Sequence, residues 1–244
     1  MEIQQSALFK GVDKENLKTA NENCQSLQYR IGQPLSEPEK IPNNVQIILS
    51  GTARLIGYQN NKRVTIARLG VGTPIGLASL LRAQACEEVN ASEDLKVLSI
   101  PDKIIIDLYK KDIQFRSNCN ELLYPGEVLF IAEYLIKKSS RTDIDIKTAF
   151  NTLFKSSQLN TFKNGETISL KNDFKSFIAS GNFEDKKIGE ILSEDVETRC
   201  RPPFDSRIIQ IKNELYQEFL KLPENTKKDT EREKETEKEK EKEK

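Results

Sequence analysis

The chain contains no histidine among its 244 residues. That absence removes Ser-His-Asp and Cys-His nucleophile arrangements, HExxH zinc proteases and the usual near-neutral general base. Neither a P-loop nor a GxGxxG sequence is present, so the phosphate-cradling motifs are missing too. Catalysis would need carboxylates, lysines or a bound cofactor, and no residue set is placed for it. The expectation is a non-enzyme without cofactor. Net charge is also lacking, with 38 basic against 38 acidic residues, so nothing calls for nucleic acid or an anionic membrane. Apolar stretches such as residues 45–49 and 104–106 fall far short of the roughly 20 residues of a membrane span. The opening MEIQQSALFKG has neither the basic region nor the long apolar region of a secretion signal. A cytoplasmic protein that does not insert into the membrane is expected. Four cysteines, Cys24, Cys86, Cys119 and Cys200, include no CxxC pair, a pattern of reduced and mostly buried thiols rather than a disulfide frame or zinc site.

What is present is a β-rich first half. Asp13 is placed to cap a short helix within residues 8–27, and residues 28–34 read as a strand ending in a Gly/Pro turn. From Val45 onward short β runs alternate with turn signals. Ser50-Gly51 breaks one run, and Asn60-Asn61 can form a hairpin because Asn tolerates the left-handed conformation. Residues 95–100 form a further strand, and Pro101 begins a helix with Ile104, Ile105, Leu108 and Tyr109 as its apolar stripe. Short strands closed by helices predict an α+β roll or barrel. A second helix is expected over 122–135 and another around Ala149, Leu153 and Phe154. Shorter β runs follow at 166–170, 177–179 and 207–211, then a helical patch at Leu215, Tyr216, Phe219 and Leu220. The resulting division is a β-roll at 1–120, a connecting helix at 121–143, a small α+β segment at 144–222 and a charged tail at 223–244. The tail alternates Glu and Lys with no apolar face, which makes it a solvated spacer.

The strings ALFKGVDKENL, YRIGQPL, VQIILSGTARL and VTIARLGVGTPIG, in that order and spacing, resemble the cyclic-nucleotide-binding domain family over about half the chain. The resemblance implies a β-roll with flanking helices and a regulatory role. It also implies a phosphate cassette, a helical turn whose backbone donors and an Arg hold the cyclic phosphate while a Glu after a Gly holds the ribose. Here the cassette reads PIGLASLLRAQACEEV. Gly76 is in place, but Leu77 stands at the Glu position and Ala85-Cys86 where Arg-Ser or Arg-Ala falls in the family. Losing two charged hydrogen-bonding groups removes roughly 1.5–3 kcal/mol each, or about two to four decades of affinity. This argues against cAMP or cGMP as ligand. The alternative keeps a small-anion or cyclic-nucleotide site over Gly76, Leu77, Ala78, Ser79, Arg82 and Cys86, with the Ser79 hydroxyl and Arg82 as substitutes. Otherwise Arg82 is an ordinary exposed helix residue.

A narrower resemblance lies in GLASLLRAQACEEVNASEDL, similar to the N-terminal regulatory region of cyanobacterial peptidase-containing ABC exporters. FIASGN, KIGEIL and RPPFDSRIIQI resemble the small β segment that follows there. The peptidase Cys-His pair, membrane helices and Walker motif of such exporters are absent from this chain. The resemblance implies a regulatory region acting through a protein partner such as the exporter. Glu87-Glu88, adjacent on a strand, point to opposite faces and make no acid/base dyad, and a solvated edge is expected. Cys86 beside acids should have a raised thiol pKa and a packing role. No helix-turn-helix follows the roll, which weighs against a transcription regulator.

Overall fold

The computed structural model describes residues 3, 6–139, 143–183, 186–193, 195–197 and 203–220. Cys200, Pro223 and the charged tail lie outside the described residues. A 3₁₀ turn at Ala7–Phe9 leads into α1 (Lys14–Glu22), which Asp13 caps by accepting from the Glu15 N–H. Then come β1 (Gln25–Tyr29), β2 (Pro34–Ser36), β3 (Asn44–Ser50), β4 (Ala53–Gln59), β5 (Lys62–Leu69), β6 (Pro74–Ile75), α2 (Leu77–Arg82), β7 (Glu88–Ala91) and β8 (Leu95–Pro101). Four helices follow: α3 (Asp102–Lys111), α4 (Ile113–Glu121), α5 (Pro125–Ser139) and α6 (Ile146–Ser156). The last segment holds β9 (Gln158–Phe162), β10 (Thr167–Ile168), β11 (Phe174–Ser180), β12 (Ile191–Leu192), β13 (Val196–Glu197), β14 (Ser206–Lys212) and α7 (Asn213–Leu220).

The roll consists of two four-stranded antiparallel sheets, ordered β1-β8-β3-β6 and β2-β7-β4-β5. Asn60 and Asn61 turn the β4–β5 hairpin with φ of 50° and 60°, as their sequence predicts. The first strand starts earlier than expected. Gln25–Tyr29 pairs with β8, and the chain then turns at Gly32, φ +85°, before β2 begins at Pro34. Proline's fixed φ and missing N–H place it at the start of a strand rather than at the end of one.

The apolar core does not stop at the roll. Ile48, Leu55, Ile66, Val89 and Val97 share one buried cluster with Leu129 and Leu135 of α5, Phe150 and Leu153 of α6, Phe177 of β11, Ile209 of β14 and Phe219 of α7. A second cluster joins Leu8, Phe9 and Leu17 to Val45, Ile47, Leu77, Leu81 and Tyr109. The third sheet, β12-β11-β14-β9, therefore packs through α5, α6 and α7 rather than standing apart. Of the β runs expected in this segment, 166–170 is shortened to Thr167–Ile168, whereas the other two are full seven-residue strands. Among the described residues no helix is long and apolar enough to cross a membrane.

Candidate functional site

The cassette helix α2 is buried along its whole length. Gly76 enters it at φ +88°, and a Cβ there would stand 2.7 Å from Pro42 Cγ and 3.2 Å from the Asn44 carbonyl oxygen. Both the left-handed backbone and the lack of space require glycine. The helix closes at Ala83, whose N–H meets the Leu80 and Ser79 carbonyls. Leu77 is fully buried and belongs to the cluster around Val45 and Ile47.

Two of the sequence-predicted residues come together. The Ser79 Oγ accepts from the Cys86 N–H at 3.2 Å and lies 3.5 Å from Cys86 Sγ, so its hydroxyl is already engaged. Gly76 meets a residue whose role the sequence did not disclose: its N–H donates to Glu87 Oε1 at 2.5 Å. An internal carboxylate thus occupies the donor at the entry to the cassette helix. Burial pushes the Glu87 carboxyl up to about 7 and Glu127 adds to the rise, while the Gly76 N–H and Arg82 oppose it. Burial likewise pushes the Cys86 thiol up to about 12, more than its acidic neighbour does. The expectation of a solvated Glu87-Glu88 edge is not met. Both are buried, because Glu88 accepts from Tyr58 Oη at 2.7 Å and pairs with Arg63.

Arg82 is not the exposed helix residue of one expectation. It is 1 % exposed, and none of its guanidinium nitrogens has a hydrogen-bond partner among the described residues. Its Cζ lies 4.8 Å from the centroid of the Phe130 ring on α5. The same ring packs so closely on Gly189 that a side chain there would collide with it. Beside it the Ser180 Oγ donates to the Leu81 carbonyl at 3.2 Å. The sequence gives no sign of this placement, because only the tertiary fold lays α5 across α2. A cation–π contact is worth about 2 kcal/mol when desolvated, less than the several kcal/mol that burying an ion costs.

The hairpin side of the roll is covered as well. A Cβ on Gly57 would meet Ile66 Cδ1 at 2.8 Å and Leu129 Cδ1 of α5 at 3.3 Å. The Gln59 amide bonds the Ile146 N–H at 3.2 Å and the Ile144 carbonyl at 3.4 Å, tying β4 to the start of α6.

Residues 26–112 match the family model of the cyclic nucleotide-binding domain. The β-roll with flanking helices over these residues is that α+β fold. No curated protein matches the chain. Among solved structures, the Thermus thermophilus catabolite activator protein is 20 % identical, with 60 % of this chain and 80 % of that one covered and a TM-score of 0.42. The regulatory domain of Toxoplasma gondii PKA, solved with cAMP, is 11 % identical over 89 % of both chains, with a TM-score of 0.43. A cyclic nucleotide-binding-like protein from Brucella abortus is 23 % identical over 45 % of this chain and 98 % of its own, at 0.40.

Proposed function

We propose that the chain is a non-enzymatic regulatory module whose cassette no longer takes a cyclic nucleotide and which acts by contact with a protein partner. The observation that carries this proposal is the Glu87 carboxylate on the Gly76 N–H. A phosphate entering there would find that donor already taken by a buried carboxyl group, and once the carboxyl ionises the two like charges repel strongly in a dry site. Leu77 offers no acceptor for a ribose hydroxyl, and the Ser79 hydroxyl is held by Cys86. The roll (1–120), the connecting helix (121–143) and the segment 144–222 then act as one regulatory unit with a charged spacer behind it. The partner class favoured is the secretion ATPase of a peptide or toxin exporter. Its support is the residue match at Gly76, Ala78–Arg82, Cys86, Glu87, Ala91 and Ser92. Affinity capture from the native cells tests this: recovery of a transport ATPase supports it, and its absence among specifically bound proteins removes the exporter assignment.

One observation favours a second reading, a sensor of a small anion or a cyclic nucleotide. Arg82 is a buried cation without a hydrogen-bonding partner among the described residues, and such a charge is normally matched by an anion. Arg82→Ala tests it. An anion whose affinity falls at least tenfold in the variant supports the sensor, and an unchanged affinity dismisses the site.

A further inference from the structure

Arg207, at the start of β14, directs its whole guanidinium at the junction between two helices far away in sequence. It is completely buried. Its Nε donates to Glu127 Oε1 at 3.0 Å and its Nη2 to Glu127 Oε2 at 2.9 Å, a bidentate pair on the first turn of α5. Nη1 donates to the Cys119 and Asn120 carbonyls, both at 3.1 Å, and Nη2 to the Leu122 carbonyl at 2.7 Å. A guanidinium has five N–H donors, and all are used here on residues 119–127. The Tyr124 ring lies beneath, 4.8 Å from Cζ. Two residues earlier, Asp205 Oδ2 accepts from Asn120 Nδ2 at 2.7 Å, and the Asp205 N–H donates to Tyr109 Oη at 3.1 Å.

These contacts converge where α4 ends and α5 begins. Residues 122–124 between the helices are too few to carry a hydrogen-bonding ladder of their own. The last carbonyls of a helix have no intrahelical donor, and here Arg207 supplies it for Cys119 and Asn120. Orientation of α5 matters for the roll, because Leu129 packs on Gly57 and Ile66, and Phe130 covers Arg82.

We propose that β14 is an intramolecular latch: Arg207 fixes the angle at the α4–α5 junction and so holds α5 closed over the roll and cassette. Displacement of β14 would free the junction and uncover Phe130 and Arg82. The latch extends the proposed regulatory function by naming the element that governs access to the cassette. It rests on that reading only for its biological purpose.

Hydrogen–deuterium exchange on the full-length chain tests it, comparing the wild type with Arg207→Lys. Lysine keeps the charge but not the planar fork. The latch predicts exchange at least tenfold faster in residues 119–135, with β3, β4 and β8 protected as in the wild type. Acceleration spread evenly over the roll, or none in 119–135, overturns it. Should the lysine variant fail to fold, Arg207→Met with Glu127→Met removes both charges while preserving bulk, and the same two outcomes apply. Nucleotide titration of the wild type bears on the closed cassette alone, so failure of either proposal is seen separately.

Discussion

The carboxylate of Glu87 accepts a 2.5 Å hydrogen bond from the backbone N–H of Gly76, eleven positions earlier at the mouth of the cassette helix. A buried acid in this position responds to pH. Its pKa is 4.5 in the unfolded chain and about 7 in the folded one. Between those values the folded protein holds a proton that the unfolded chain has released. The stabilising contribution is therefore full below pH 4.5, declines as pH rises and is lost above about 7. At about 1.4 kcal/mol per pKa unit, the decline amounts to roughly 3 kcal/mol. Glu87→Gln, which mimics the neutral acid, should flatten this part of the curve. Urea unfolding at several pH values reads it directly: the variant should match the wild type near pH 4.5 and exceed it near pH 8. A parallel decline in both proteins would remove Glu87 as the titrating group.

Arg82 and Arg207 make a natural pair of controls, since both are buried and only one is paired. Arg82→Met replaces an unmatched charge with a flexible apolar side chain that can still rest on Phe130. It should raise stability by about 1–3 kcal/mol, the lost cation–π contact being smaller than the recovered desolvation cost. A loss of stability would instead mean that an anion accompanies Arg82 in solution.

Arg207→Met has the opposite sign. It leaves Glu127 buried without its partner and strips donors from three carbonyls, which should cost about 3–5 kcal/mol. Denaturant midpoints of the two methionine variants, measured side by side, should move in opposite directions. A shift in the same direction would contradict the assignment of one arginine as orphan and the other as clasped.

Much of the fold is legible in the sequence because its signals are local. Asp13 caps α1, Asn60-Asn61 forms the hairpin turn and Pro101 precedes α3, each through chemistry confined to a few residues. The spacing of Gly76 and the apolar runs likewise announces the roll. α4 was not legible, because only Phe115 and Cys119 of its nine residues are buried and no apolar stripe marks it. The site was harder still. Glu87 and Glu88 look like solvated charges until β7 is laid beside Gly76, Tyr58 and Arg63. Arg82 and Arg207 gain their meaning from α5, which reaches them only through the tertiary packing of the last sheet. Pairwise chemistry between residues 80 positions apart, such as Glu127 with Arg207, leaves no periodic trace in the chain.

The cysteines provide a check on burial. Burial raises the thiol pKa of Cys24, of Cys86 to about 12 and of Cys119 further still; Cys119 is buried, whereas Cys24 and Cys86 are half-buried. Alkylation of the native protein followed by peptide mass analysis should label Cys24 first, Cys86 more slowly because its thiol is pushed up to about 12, and Cys119 only on unfolding. Rapid native labelling of Cys86 would show that the cassette opens readily.

Calorimetric titration of the wild-type protein with cAMP and with cGMP tests most directly whether the cassette is closed. With Glu87 on the Gly76 N–H and Leu77 in place of a ribose acceptor, neither nucleotide should give heat or a thermal shift at millimolar concentration. Micromolar binding of either one would contradict a sealed cassette and establish a cyclic-nucleotide sensor in its place.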